Sequence, residues 1–214
     1  MINIIMENSK KNIVFQLINT ERNKEYLKDK PHREFLDLSI VYNMMYHSSI
    51  GTIVSQAITN EMAKSLELSE EQLFAYATVN TRRLLPPIVQ NISDTVREML
   101  TRSNIPAETK EEILRDLPPQ HFEWIITNNT TVNGSIVILY ENVLDELAQK
   151  LESNLFLMPS SVHEMIALPS YLGDPKEMAR DVATINKEAV SFEEQLSDHI
   201  YHYDMITREI TLIE

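Results

Sequence analysis

The chain has 214 residues, 43% of them apolar, with 32 acidic against 19 basic side chains, a formal net charge of −13, three glycines and no cysteine. The length suits one domain or two small ones with a real core, while the missing cysteines exclude a disulfide scaffold, thiolate zinc sites and cysteine nucleophiles, and three glycines leave no room for a glycine-rich phosphate loop. No apolar run reaches the roughly 20 residues of a membrane helix and the amino terminus does not read as a signal peptide, so a soluble, cytoplasmic protein is expected.

Residues 1–10 are polar and read as frayed. The β-branched and aromatic run Ile13-Val14-Phe15-Gln16-Leu17-Ile18 predicts a strand. After a charged stretch at 21–30 and Pro31, residues 35–42 predict a second, with Asp37 and Ser39 on one face and Leu36, Leu38 and Ile40 on the other. A third is expected within 51–59. Thr59 or Asn60 can cap a short helix through Met62 and Leu66. Ser69-Glu70-Glu71-Gln72 is a capping-box pattern opening a longer helix, whose stripe Leu73, Ala77 and Leu84 ends at Pro86-Pro87. Shorter helices are expected at 93–101 and 109–117. The pair Pro118-Pro119 then marks a boundary between an amino-terminal α+β module, 1–117, and an acidic carboxy-terminal α+β module, 118–214.

In the second module, Phe122-Glu123-Trp124-Ile125-Ile126 predicts a strand that turns through Asn133-Gly134 and returns along 135–140. Asn142 can cap a helix with Val143, Leu144, Leu147, Ala148 and Leu151 on one face. Leu155-Phe156-Leu157-Met158 and Met165-Ile166-Ala167-Leu168 read as strands. Asp174-Pro175-Lys176-Glu177 starts a helix with Met178, Val182, Ile185 and Ala189 at helical spacing. A last hairpin is expected from Ile200-Tyr201-His202-Tyr203-Asp204 and Glu209-Ile210-Thr211-Leu212-Ile213. The order β-β-α-β-β-α-β-β implies an α+β fold with helices packed on antiparallel sheets.

The charge is unevenly spread: residues 1–60 carry seven basic and six acidic groups, 61–120 seven and ten, and 121–214 five and sixteen. Cations supply nucleic-acid affinity, so direct binding of DNA or RNA is not expected; an acidic surface suits a basic partner instead. Glu141, Asp145 and Glu146 are the candidate acidic face. The six histidines show no metal-ligand spacing, and His199 and His202 fall on opposite faces of a strand, so neither a metal nor a cofactor is expected.

Ser160-Ser161-Val162-His163, with Asp198 later, has the composition of a Ser-His-Asp hydrolase site, yet Ser161 and Glu164 also match a capping box, which is the preferred reading. Asn80 falls in the apolar stripe of its helix, where a buried amide needs partners: a bridge to a neighbouring loop is preferred to a ligand contact. Arg83 can pair with an internal carboxylate such as Asp37 or clamp an anion. Asp37, if it faces inward, needs such a partner. Tyr201 and Tyr203 share a face and read as core packing. Asn80, Arg83, His163 and Asp198 are the candidate pocket.

The stretches Pro31-His32-Arg33-Glu34-Phe35-Leu36-Asp37-Leu38, Asn80-Thr81-Arg82-Arg83-Leu84-Leu85-Pro86, Leu157-Met158-Pro159-Ser160-Ser161-Val162-His163-Glu164 and Leu196-Ser197-Asp198-His199-Ile200-Tyr201 together resemble the bacterial domain-of-unknown-function family numbered 5688. The resemblance runs from about Asn12 to the end. It implies a short variant lacking an amino-terminal segment, and a setting in gut-type bacteria and on mobile elements; it supplies no catalytic residue. The expected function is a non-enzymatic, protein-binding module. Its concrete form is a mobile-element inhibitor that occupies the nucleic-acid site of a defence nuclease of the CRISPR type. The alternatives are a small hydrolase or nucleotide-processing enzyme and a self-associating structural subunit.

Overall fold

A computed structural model describes residues 10–47, 53–116 and 122–213. Residues 1–9, expected to fray, residues 51–52, expected to start the third strand, Leu117 and the expected Pro118-Pro119 boundary lie outside the described residues.

The described residues form an α+β fold with two antiparallel sheets. The first sheet has β1 (Ile13–Asn19), β2 (His32–Phe35), β3 (Leu38–His47) and β4 (Ile53–Ala57), with the long β3 pairing all three others. A short helix α1 (Lys24–Leu27) precedes β2. After β4 come α2 (Asn60–Ser65), α3 (Glu70–Leu84), the first strand of the second sheet, β5 (Pro87–Asn91), and then α4 (Ile92–Arg102) and α5 (Ala107–Asp116). Then follow β6 (Trp124–Asn128), a 3₁₀ helix (Gly134–Leu139), α6 (Val143–Leu151), β7 (Leu155–Ser161), β8 (Glu164–Pro169), α7 (Pro175–Ala189), β9 (Ile200–Asp204) and β10 (Glu209–Ile213). The second sheet runs β10-β9-β7-β8-β6-β5. Among the described residues, no helix is long and apolar enough to cross a membrane.

Local chemistry explains most of these elements. Ser69 accepts the Gln72 backbone N–H while the Gln72 side chain accepts that of Ser69, the reciprocal box that starts α3. Asp174 caps α7 through the Lys176 N–H at 2.8 Å, with Pro175 in the first turn. In the first sheet, the register Ile13↔Met44, Phe15↔Tyr42 and Leu17↔Ile40 places these six side chains on one face, where they join Leu73 and Ala77 of α3 in the main core. That core also takes in Ile126, Leu157, Tyr201 and Tyr203 of the second sheet. Arg33 of β2 holds the start of α3, gripping Glu70 at 3.0 and 2.8 Å while its guanidinium lies 3.9 Å from the Phe74 ring centroid.

Three sequence expectations are corrected. Residues 35–42 are not one strand: Leu36, with φ 57°, and Asp37 form a two-residue hairpin turn between Phe35 and its partner Leu38. The apolar alternation runs straight through that turn and hides it. The return at 135–140 is a 3₁₀ helix, not a strand. Its apolar run has no period to distinguish the two, and Gly134 lies so close to β6 that a Cβ there would be 2.1 Å from Thr127 Oγ1 and 2.4 Å from the His163 carbonyl oxygen. Finally, β5 was not foreseen; Pro87 is tolerated because it begins the edge strand of its sheet.

Candidate functional site

The Leu36-Asp37 turn reaches across to the segment leading into β9. Asp37 Oδ1 accepts the Tyr201 hydroxyl at 2.7 Å, Oδ2 accepts the Ser197 hydroxyl at 2.6 Å, and His199 Nδ1 stands 3.1 Å from the same Oδ2. Beside it, Asn186 Nδ2 donates to the Ser197 carbonyl at 2.9 Å and to Asp198 Oδ1 at 2.7 Å, and Arg22 Nη2 donates to Asp198 Oδ2 at 2.6 Å. Burial opposes ionisation of Asp198, but the bonds from Asn186 and Arg22 outweigh it and hold the carboxyl below its ordinary range. Burial, then the negative Asp37, push the Tyr201 phenol up, so it stays a neutral donor.

This junction contains Ser, His, Asp and Tyr, yet its geometry is that of a clasp. In a hydrolase the imidazole stands between serine and carboxylate; here Ser197 and His199 both address one oxygen of Asp37. Ser197 is also fully buried, out of a substrate's reach. Asp37 therefore has the partners its position demands, and Arg83 is not among them. Tyr201 and Tyr203 are buried core residues, as their shared face implied.

Arg83 instead belongs with Asn80 on α3. Asn80 is buried and its Nδ2 donates to the carbonyls of Lys10 at 2.7 Å and Ile13 at 3.1 Å, the expected bridge to a neighbouring segment. Arg83 Nη2 donates to the Lys11 carbonyl at 2.6 Å and to Asn80 Oδ1 at 3.3 Å. Arg82 donates to the Glu141 carbonyl, tying α3 to the segment before α6. Between these elements lies a cleft of about 480 Å³, with Phe15, Val79, Arg82, Arg83, Tyr140 and Asn142 in its walls. Arg82 also borders a second cavity of about 290 Å³, where the Lys150 ammonium sits 4.2 Å from the Trp124 ring centroid.

His163 occupies the β7–β8 turn. Its Nδ1 accepts the Asn133 backbone N–H at 3.1 Å and its Nε2 lies 3.4 Å from Glu194 Oε1. Ser161 Oγ accepts the His163 N–H at 3.0 Å, so Ser161 does act as a cap, but of a β-turn and not of a helical one. Of the candidate pocket, then, Asn80 and Arg83 share a hydrogen bond, while His163 and Asp198 belong to two other networks. The acidic candidates divide as well. Glu141 and Glu146 are exposed, whereas Asp145 is buried, paired with Arg208 Nη2 at 3.0 Å and accepting Gln149 Nε2 at 2.9 Å.

Arg22 and Asn186 escaped the sequence reading. Asn186 follows Val182 by four residues in the buried stripe of α7, the same polar-in-stripe signal that singled out Asn80. Arg22 carried no signal, since it sits in a charged run. A small cavity of about 150 Å³ bordered by Val14, Met45 and Leu85 was also not foreseen; the amides there bond one another, Asn43 Nδ2 to Gln16 Oε1 at 3.1 Å and Gln16 Nε2 to Asn133 Oδ1 at 3.2 Å.

The four stretches that carry the family resemblance supply residues to these separate networks: Asp37 touches Ser197, His199 and Tyr201, Asn80 and Arg83 anchor α3, and His163 closes the β7–β8 turn. No curated protein and no solved structure matches the chain. One family model does, over residues 3–205 of the 214. The chain belongs to that family, the family of unknown function DUF5688.

Proposed function

We propose that the chain is a non-enzymatic protein-binding module whose acidic later part engages a basic surface on a partner protein. The observation that carries this reading is the charge left over after folding. Within 122–213, Asp145, Asp198 and Glu194 have a cationic or imidazole neighbour. Glu141, Glu146, Glu152, Glu188, Glu193 and Glu209 are exposed and have no ion-pair partner among the described residues. Unpaired surface charge of one sign steers association and selects partners of the opposite sign. The candidate acid–base and nucleophilic groups Asp37, Ser197, His199, Asp198 and His163 are, by contrast, engaged in hydrogen bonds within the fold. The narrower form of the reading is a cytoplasmic inhibitor from a mobile element that covers the nucleic-acid site of a bacterial defence nuclease, its carboxylates competing with phosphates for the same cations.

The test starts from a partner captured with the tagged chain from its native host, identified by mass spectrometry and purified. Glu141→Lys with Glu146→Lys is expected to weaken the purified complex by about tenfold or more at low salt, and added nucleic acid is expected to compete. Affinity indifferent to the double substitution and to ionic strength overturns the reading.

A further inference from the structure

We propose that the cleft between α3 and the segment leading into α6 binds the phosphoryl group of a small phosphorylated molecule. Among the described residues, the two arginines that face it have no carboxylate partner, unlike five others of the chain. Arg22, Arg33, Arg97, Arg102 and Arg208 each have a carboxylate within ion-pair distance. Among the described residues Arg82 and Arg83 do not, nor do Arg115 and Arg180, but Arg82 and Arg83 stand side by side on a cleft wall, and their hydrogen bonds go to the Glu141 carbonyl, the Lys11 carbonyl and the Asn80 amide oxygen, all neutral acceptors. Two adjacent guanidiniums thus keep their full charge on one wall of a cleft, in a chain of net charge −13 that has carboxylates to spare.

Each guanidinium has five N–H donors and, among the described residues, commits one nitrogen, Arg82 Nη1 and Arg83 Nη2, which leaves donors for a ligand. A pair of positive charges matches a phosphoryl dianion better than a single carboxylate, and the planar forks suit its tetrahedral oxygens. The volume of about 480 Å³ exceeds what a bare ion needs and falls in the range of small-molecule sites. Phe15, Val79, Leu139 and Tyr140 give the cleft apolar walls for the rest of such a molecule. A nucleic-acid strand fits less well, because the exposed Glu141 also lines the cleft and Glu146 stands in the adjoining cavity, where a run of further phosphates would meet them.

The cleft shares Glu141 with the acidic docking face but the proposal does not rest on docking, and titration calorimetry with inorganic pyrophosphate at fixed ionic strength, with no partner protein present, tests it alone. The full chain is expected to bind pyrophosphate saturably at one site. Val79→Glu, at a position 68% exposed and therefore tolerant of change, adds a carboxylate to the wall and is expected to weaken binding by about tenfold or more. Arg82→Gln with Arg83→Gln should do the same, and Glu141→Gln should tighten binding about threefold by removing a repelling charge. No saturable binding up to about 10 mM, a free energy weaker than roughly 3 kcal/mol, overturns the proposal. Equal binding by Val79→Glu also overturns it, and so does tighter binding of a single-stranded oligonucleotide than of pyrophosphate.

Discussion

The Asp37 junction and the Arg82–Arg83 cleft are both rich in polar side chains, and they use them in opposite ways. At the junction Asp37 takes bonds from Ser197, His199 and Tyr201, while Asp198 is held by Asn186 and Arg22. At the cleft two guanidiniums bond neutral oxygens and have no ion-pair partner among the described residues. Burial of Ser197, Tyr201 and Asn186 forces the first arrangement, because an unpaired polar group away from water costs about 1–3 kcal/mol. Solvent permits the second. Composition alone would rank the junction, with its serine, histidine and aspartate, as the chemical site; the bonding pattern assigns it to the fold, and the two proposals rest instead on the cleft and the exposed carboxylates.

This contrast can be broken from the closed side first. Gly134→Ala should cost the most, about 3 kcal/mol or more, since a Cβ would meet Thr127 Oγ1 at 2.1 Å and backbone atoms of His163 and Asn128 at 2.4 and 2.8 Å; urea denaturation measures it. Asp37→Ala should come next, at about 2–4 kcal/mol in the same assay, because it strands the Ser197 and Tyr201 hydroxyls. Asn80→Ala should lose about 1–3 kcal/mol by freeing the buried Ile13 carbonyl and the half-buried Lys10 carbonyl.

Asp198 sharpens the contrast through pH. Its carboxyl is held below its ordinary range in the folded chain, so it contributes stability above that range and loses the contribution as pH falls through the lowered value. Melting temperature followed on acidification should therefore drop less steeply in Asp198→Asn than in the parent. The smallest effect belongs to the open side. Glu141→Lys with Glu146→Lys should leave folding stability within about 0.5 kcal/mol, since both side chains are exposed and unpaired.

What the sequence disclosed follows the range of the interactions. The Ser69–Gln72 box, the Asp174-Pro175 start of α7, β1 and the β9–β10 hairpin are decided within a few residues, and each stands where local rules put it. The need for partners at Asn80 and Asp37 was legible as well, because a polar residue among apolar neighbours announces an unpaid desolvation cost. Which partners satisfy them was not: Asp37 and Ser197 are 160 residues apart, and no local pattern encodes that meeting. The same gap explains Asp145. On sequence it is one acid of three, but the fold turns it toward Arg208 while Glu141 and Glu146 stay in solvent. The 3₁₀ helix at Gly134–Leu139 was hidden for a different reason, as a fully apolar run carries no period to separate helix from strand.

The proposal that residual negative charge serves docking is tested most directly by the salt dependence of binding between the chain and its purified partner. Dissociation constants measured across a salt series should rise steeply for the parent and much less steeply for Glu141→Lys with Glu146→Lys. Parallel lines of equal slope for the two proteins would contradict the account.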